Sequence, residues 1–467
     1  MDLRRLRKIP VLRRTKLFAV GLFAVALVAG AAGGPAYAAD GKGAGGQGSS
    51  SYLLAYDITD PQWIGKQDEL EKVAKRDGSL DALGIQDTAH SRTVRPMSTA
   101  ESHASAVRNK AEYAVDSRAY AGTATPAAPS YDYISLTECL NNYNQAIKPE
   151  GWIKNHFAYC KIFLHFLVQR DCGWFFCETS TFSAMSTLIG DGKKGDRSTE
   201  FNLVFWPMRT SGVYNGAQVG VHMSCSASGG ACNGDPNNGR TGTPVQWNAN
   251  NRATFLFNSP ALPPDQANGQ QLVFASLQPH YSVHPPEGKN WDYDAPDTGM
   301  RFDSAWYLTY KQGSIFDRVT PSMVYSLGDD QVKMSAHHID DALKYPASTK
   351  PAVADKHIPG GSASDPIRRL YFDQTRRDRN RDTAVAVCQK EWPGYPELGQ
   401  DCDEFPFAST YEGAARSRPE YDGTPYGMFS VRAINSPDNQ EAGRRLGTWY
   451  GDDRIIDADP FFLRITQ

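Results

Sequence analysis

The 467-residue sequence predicts a multidomain protein: an all-β, sandwich-like region followed by an α+β region. Three observations carry that prediction. The length exceeds what one hydrophobic core usually serves, so at least two domains are expected. From Tyr131 to about Leu327, short apolar and aromatic runs recur between clusters of Gly, Asn and Pro, as in a double sheet. Beyond residue 333 the pattern changes: helical periodicity surrounds one strand that is rich in carboxylates.

Taken in order, residues 1–38 read as a signal peptide. A basic region from Arg4 to Lys16 precedes the apolar run Leu17 to Ala29, and Ala36-Tyr37-Ala38 offers the small residues of a cleavage site. No later segment is long and apolar enough to span a bilayer, so no stable membrane insertion is expected and the mature protein is expected to be secreted. Residues 39–130 read as a flexible or partly helical linker or propeptide. Within them Trp63, Ile64, Leu70 and Val73 suggest one amphipathic helix, and the stretch from Asp87 to Pro129 is polar. Residues 131–333 form the β-rich region, with strands expected at Ile162 to Val168, Phe201 to Trp206, Val219 to Met223, Ala253 to Phe257, Leu272 to Leu277, Ala305 to Tyr310 and Met323 to Leu327. Trp247, Trp291 and Trp306 suit either a buried core or a groove for a carbohydrate or other polymer. A boundary is expected near Gly328 to Ser335, and a fragment from Met334 is expected to fold alone.

The eight cysteines all follow the signal. An even count in an exported chain favours disulfides over catalytic thiols. Sequence spacing favours Cys225 with Cys232 and Cys388 with Cys402. Cys139, Cys160, Cys172 and Cys177 are left with three pairings. A net charge of -3 excludes a strongly basic nucleic-acid coat protein, though not an enzyme with a local basic patch. The sequence contains neither a phosphate-binding P-loop nor Gly-x-Ser-x-Gly.

In the last region, Asp373 to Trp392 reads as a helix whose apolar side is Ala384, Val385, Val387 and Cys388. Arg376, Arg377, Arg379 and Arg381 crowd its first half, either as a solvated basic face or, with Arg432, as a rail for phosphates. His337-His338-Ile339-Asp340 lacks metal-ligand spacing and is taken as structural. Asp401 to Gly413 places Asp403, Phe405 and Phe407 on one strand face, with Cys402 and Glu404 on the other. Pro406 ends the strand or puts it at an edge. Ser436-Pro437-Asp438 reads as a helix start with Ser436 as cap, and Asn439 in the first turn carries an oxygen able to bind a hard cation.

Asp403-Glu404-Phe405-Pro406, Glu412-Gly413 and Ser436-Pro437-Asp438-Asn439 together resemble the NucA/NucB family of secreted bacterial deoxyribonucleases. The likeness covers roughly residues 334–467. It implies a nuclease domain of the ββα-metal type, in which two strands deliver a general base and the following helix a metal ligand. By that likeness Asp403 is the base, Asn439 the ligand of Mg²⁺ or Mn²⁺, and DNA the substrate. Glu404 and Glu412 are further catalytic candidates. Two departures stand out: Gln440-Glu441 follow Asn439, and about a dozen extra residues separate Glu412 from Val431. Glu441 lies about 200° around the helix from Asn439 and is left out of the site.

Phosphodiester hydrolysis needs an activated water, a sink for charge on phosphorus and relief for the departing oxygen. Partial burial beside Phe405 and Phe407 is expected to raise the pKa of Asp403 toward neutrality. A Cys388–Cys402 bridge would tie the arginine-rich helix to the base, with a loop-closure contribution of roughly 3 kcal/mol. The competing reading is a noncatalytic surface or polymer-binding protein with a nuclease-like scaffold. No protein partner is inferable from the sequence.

Overall fold

A computed structural model of the chain describes residues 50–88, 97–122, 131–261 and 269–467. The signal peptide expected over residues 1–38 lies outside the described residues.

Strand β1 (Ser50–Asp57) is followed by helices α1 (Gln67–Asp77) and α2 (Thr99–Asn109) and by strand β2 (Glu112–Asp116). A long hairpin comes next, β3 (Ala158–Cys172) and β4 (Cys177–Asp191), with β1 paired along the outer edge of β3. Strands β5 (Ser198–Phe205), β6 (Gln218–Ser228), β7 (Arg252–Asn258), β8 (Gln270–His284), β9 (Trp291–Asp294) and β10 (Thr298–Ala305) complete two sheets. The eight-stranded sheet runs β1-β3-β4-β5-β7, and the seven-stranded sheet contains β6, β8, β9 and β10.

Strand β3 explains why the sheets pack as they do. Its side chains are buried on both faces along most of its length, mostly apolar ones, with Lys161, His165 and Gln169 buried among them. Phe163 and Leu167 face the core shared with the second sheet, where Phe163 meets Tyr281 with ring centroids 5.3 Å apart. Ile162, Leu164, Phe166 and Val168 face the opposite way, onto Trp63, Leu70 and Val73 around α1.

The strands expected at 162–168, 201–206, 219–223, 253–257, 272–277 and 323–327 lie within or largely within observed strands. The run from Ala305 to Tyr310 does not: β10 ends at Ala305 and the chain turns. There Tyr307 stacks on Tyr371 at 3.7 Å, a contact that no alternation pattern reveals. Residues 50–88 and 97–122 are not a plain linker either. They supply β1, α1, a capped α2 and β2. Ser98 and Glu101 form a capping box at the start of α2, with Glu101 Oε2 accepting the Ser98 N–H at 2.8 Å.

Strand β11 (Thr320–Ser326) leads into helix α3 (Lys333–Lys344), and helix α4 (Gln374–Glu391) follows where a helix is expected, with Asp373 as its cap. Strands β12 (Gln400–Phe405) and β13 (Ser430–Asn435), helix α5 (Ser436–Asp452) and strand β14 (Pro460–Thr466) close the chain. Strand β11 pairs in parallel with β2 on one side and with β14 on the other.

The boundary expected at 328–335 is therefore spanned by a sheet drawn from both sides of it. Buried polar links reinforce the join. Arg301 Nη1 reaches Asp459 at 2.7 Å, Arg454 pairs with Asp303, and Tyr113 donates its hydroxyl to Asp453 at 2.7 Å. Residues Ser49–Gln467 form one compact unit.

Candidate active site

Strands β12 and β13 pair antiparallel, with Asp403 opposite Arg432, and the chain passes without a loop from β13 into α5. Alternation along β12 sends neighbouring side chains to different helices. Cys402 joins Cys388 of α4, and Arg381 of the same helix lies 3.4 Å from Glu404. Asp403 points instead to α3, where its Oδ2 lies 2.8 Å from Nδ1 of the fully buried His338. The other ring nitrogen, Nε2, is 2.7 Å from Ser430 Oγ on β13. His338 thus braces Asp403 against both strands.

Helix α5 begins one residue earlier than its proline suggests. Asn435 holds the cap position without a side-chain cap bond, and Ser436 Oγ accepts a bond from Gln440 at 2.9 Å. Asp438 turns away to cap a different helix. Its two oxygens accept the Met334 and Ser335 N–H groups of α3, each at 2.9 Å. Those donors have no partner within their own helix. One carboxylate therefore fixes the helix bearing His338 against the helix bearing Asn439.

A cleft of about 640 Å³ opens over this junction, and Asp403, Glu404, Asn439, Arg369, Arg377 and Arg381 reach it. Glu404 is buried, and desolvation pushes its pKa up to about 7 against the opposing pull of Arg381. Its Oε2 has no hydrogen-bond partner among the described residues. Asp403 keeps lone pairs free: Oδ2 meets His338 and Oδ1 accepts the Glu404 N–H at 3.1 Å, two of about four acceptor directions.

The arginines expected as one rail divide by helical position. Arg377 and Arg381, four residues apart on one face of α4, line the cleft. Arg376 is buried and binds the Tyr411 carbonyl and Asp422, at 3.0 Å from the latter. Arg379 pairs with Glu420 at 2.9 Å and Arg432 with Asp341 at 2.6 Å. Glu412 also lies outside the cleft lining. Its carboxylate accepts the Arg368 backbone N–H at 2.7 Å and side chain at 2.9 Å, clamping residues 367–368 beside β14. Arg369 is a cleft residue that sequence reasoning did not single out, and His338, read there only as structural, holds Asp403 in place. His338 sits more than sixty positions before Asp403, and only the packing of α3 on β12 joins them.

Among the described residues, no group of three or more His, Cys, Asp or Glu side chains is arranged to hold a metal ion. The cleft offers a sparser set of hard oxygens, from Asn439, Asp403 and the orphaned Glu404 Oε2. That set suits a cation that keeps much of its water shell, as Mg²⁺ does. A separate constellation lies on the second sheet, where Ser224 Oγ, His280 and Asp294 form a chain of 2.6 and 2.5 Å contacts across β6, β8 and β9. Ser224 is exposed on an open sheet face, which offers no wall to hold an acyl group.

A carboxylate-lined, arginine-flanked cleft on a strand–strand–helix unit suits chemistry on phosphodiesters. Residues 367–463, about a fifth of the chain, match the model of the family described as Deoxyribonuclease NucA/NucB, so the C-terminal region is a domain of that family type. No curated protein and no solved structure matches the chain. Helix α3 with His338 precedes the matched span, so part of the site's support comes from outside it.

Proposed function

We propose that the protein is a secreted, divalent-metal-dependent endonuclease that hydrolyses DNA phosphodiester bonds, with Asp403 as general base. The observation that carries this reading is the meeting of Asp403 and Asn439 in one cleft, on the ββα order that the family likeness implies. Four disulfides suit an oxidising compartment outside the cytoplasm.

In this mechanism His338 and the Glu404 N–H hold the Asp403 carboxylate while its free lone pairs face a water in the cleft. Asp403 takes a proton as the water oxygen bonds to phosphorus, and the bond to the departing sugar oxygen breaks. Arg377 and Arg381 hold the flanking phosphates and offset charge gathering on phosphorus. Asn439, with a neighbouring carboxylate oxygen, would hold the cation. A bound Mg²⁺ or Mn²⁺ would polarise the phosphoryl group and stabilise the leaving oxygen.

One observation favours a second reading of the base. Glu404, with a pKa of about 7 and an unpartnered oxygen, is tuned for proton transfer near neutrality. In both readings supercoiled plasmid is nicked by the full-length mature protein with Mg²⁺ or Mn²⁺, and a chelator abolishes nicking. Unchanged nicking in chelator would remove the metal from the mechanism. No nicking under any metal would leave a nuclease-like scaffold of other function.

A further inference from the structure

The tip of the β3–β4 hairpin reads Cys172-Gly173-Trp174-Phe175-Phe176-Cys177. Its three aromatic side chains are 73%, 96% and 77% exposed, in order. Every other large apolar residue that is strongly exposed among the described residues, such as Val245 or Leu398, stands alone in sequence. Isolated exposed apolar residues are ordinary, whereas three adjacent aromatics held in water mark a contact surface.

The tip is built to keep its shape. A disulfide joins Cys172 to Cys177, and the Gly173 N–H donates to the Phe176 carbonyl at 3.0 Å. The strands behind it are each fifteen residues long, and β1 pairs with β3 as far as Cys172. Trp174, Phe175 and Phe176 thus project past the last paired residues of a rigid sheet. A projecting convex tip cannot enclose a peptide as a groove does, but it can enter a soft surface.

We infer that this tip is a membrane-interface anchor that seats the protein on a neutral lipid bilayer. Charge selects the type of bilayer. Directly beneath the aromatics, Asp171 pairs across the hairpin with Glu178. Two carboxylates at the base of the tip disfavour an anionic surface and halt entry at the headgroup level. Aromatic rings prefer that level, where the turn's remaining backbone groups stay hydrated. The association is peripheral and reversible, consistent with the lack of any membrane-crossing helix among the described residues.

The test is flotation of the full-length mature protein with phosphatidylcholine vesicles. Wild type floats, and raising NaCl from roughly 0.1 to 1 M leaves binding intact because the attraction is apolar. The triple variant Trp174→Ser/Phe175→Ser/Phe176→Ser keeps its melting temperature, since these side chains support no core, but loses roughly 10²-fold in partitioning. Trp174→Phe keeps most of the binding while losing the component of tryptophan emission quenched by brominated lipid. Failure of wild type to float, or equal flotation of the triple variant, overturns the anchor. Loss of self-association or of polysaccharide retention in the triple variant, in place of vesicle binding, would assign the tip to those partners instead.

Discussion

Two antiparallel strand pairs of this protein, each tied by a disulfide, depart from ordinary burial in opposite directions. The β3–β4 hairpin is buried along most of its length, yet ends in three aromatics held out in water. The β12–β13 pair is short, and it takes two adjacent carboxylates, Asp403 and Glu404, out of water. Packing accounts for neither departure. Burying an acid costs free energy unless partners compensate, and among the described residues Glu404 Oε2 has no hydrogen-bond partner. In each case the residues that packing leaves unexplained are the ones proposed to meet something outside the chain.

The strand pairs also differ in what supports them, and removing that support gives the largest expected effect. The β3–β4 pair sits inside an eight-stranded sheet, whereas β12–β13 is a two-stranded ribbon held by three helices. The last of those helices, α5, is anchored by residues far upstream: Asp453 just beyond its end receives Tyr113, Lys194 pairs with Asp452, and Arg445 pairs with Asp329 at 2.5 Å. A fragment from Met334 to Gln467 loses these contacts together with β2 and β11. It is expected to remain unfolded by circular dichroism and to lack nicking activity altogether. Leaving one partner of a buried ion pair alone costs about 3–5 kcal/mol, and Asp459 and Arg454 both lose theirs. A cooperatively melting, active fragment would show that the ribbon and its helices stand by themselves.

Within the intact protein the next largest effect separates base from metal ligand. Asp403→Asn keeps the contacts to His338 and removes the proton acceptor. Turnover is expected to fall roughly 10²–10⁴-fold while metal affinity scarcely changes. Asn439→Ala deletes an oxygen instead, so activity falls and higher Mn²⁺ restores part of it. Calorimetric metal titration beside single-turnover cleavage distinguishes the two. Loss of metal binding in folded Asp403→Asn would make that carboxylate a ligand rather than the base.

Much of this site was legible in the sequence where the information is local. The acidic strand, the helix starting beside Pro437, the arginine-rich helix and the Cys388–Cys402 and Cys225–Cys232 pairs all depend on near neighbours. What sequence reading missed depends on long-range packing. His338 meets Asp403 through the packing of α3 on β12, which the Asp438 cap on α3 helps to fix. Glu412 and Arg376 look functional by composition, yet Glu412 holds residues 367–368 beside β14 and Arg376 ties α4 to the loop carrying Tyr411 and Asp422. Burial raises the pKa of Glu404, whose side chain leaves the strand toward α4, a consequence of tertiary packing that the alternation of β12 does not show. The exposure of the tip aromatics is likewise set by the fold, since it is not written in a run of apolar letters.

The smallest expected effect is the one that decides between the two carboxylates. Glu404 has a folded-state pKa of about 7, above its ordinary 4.5. The folded protein therefore holds that proton more tightly than the unfolded chain does. Below pH 4.5 both states are protonated and the group costs nothing. Between 4.5 and 7 the unfolded chain ionises first, so stability falls as pH rises, and above 7 a penalty on the order of 3 kcal/mol remains. Glu404→Gln removes the ionisation, so the variant is expected to match wild type near pH 4.5 and to melt higher above pH 7. With Asp403 as base, the same variant loses less than about tenfold in cleavage rate, a second-rank effect beside the loss in Asp403→Asn. If Glu404 is the base instead, wild-type activity climbs through pH 7 with the ionisation of that group, and Glu404→Gln falls as far as Asp403→Asn. A pH series of single-turnover rates on both variants, with melting curves on the same samples, separates the outcomes. A Glu404→Gln protein that melts higher yet cleaves no DNA would transfer the base from the His338 side of β12 to the α4 side.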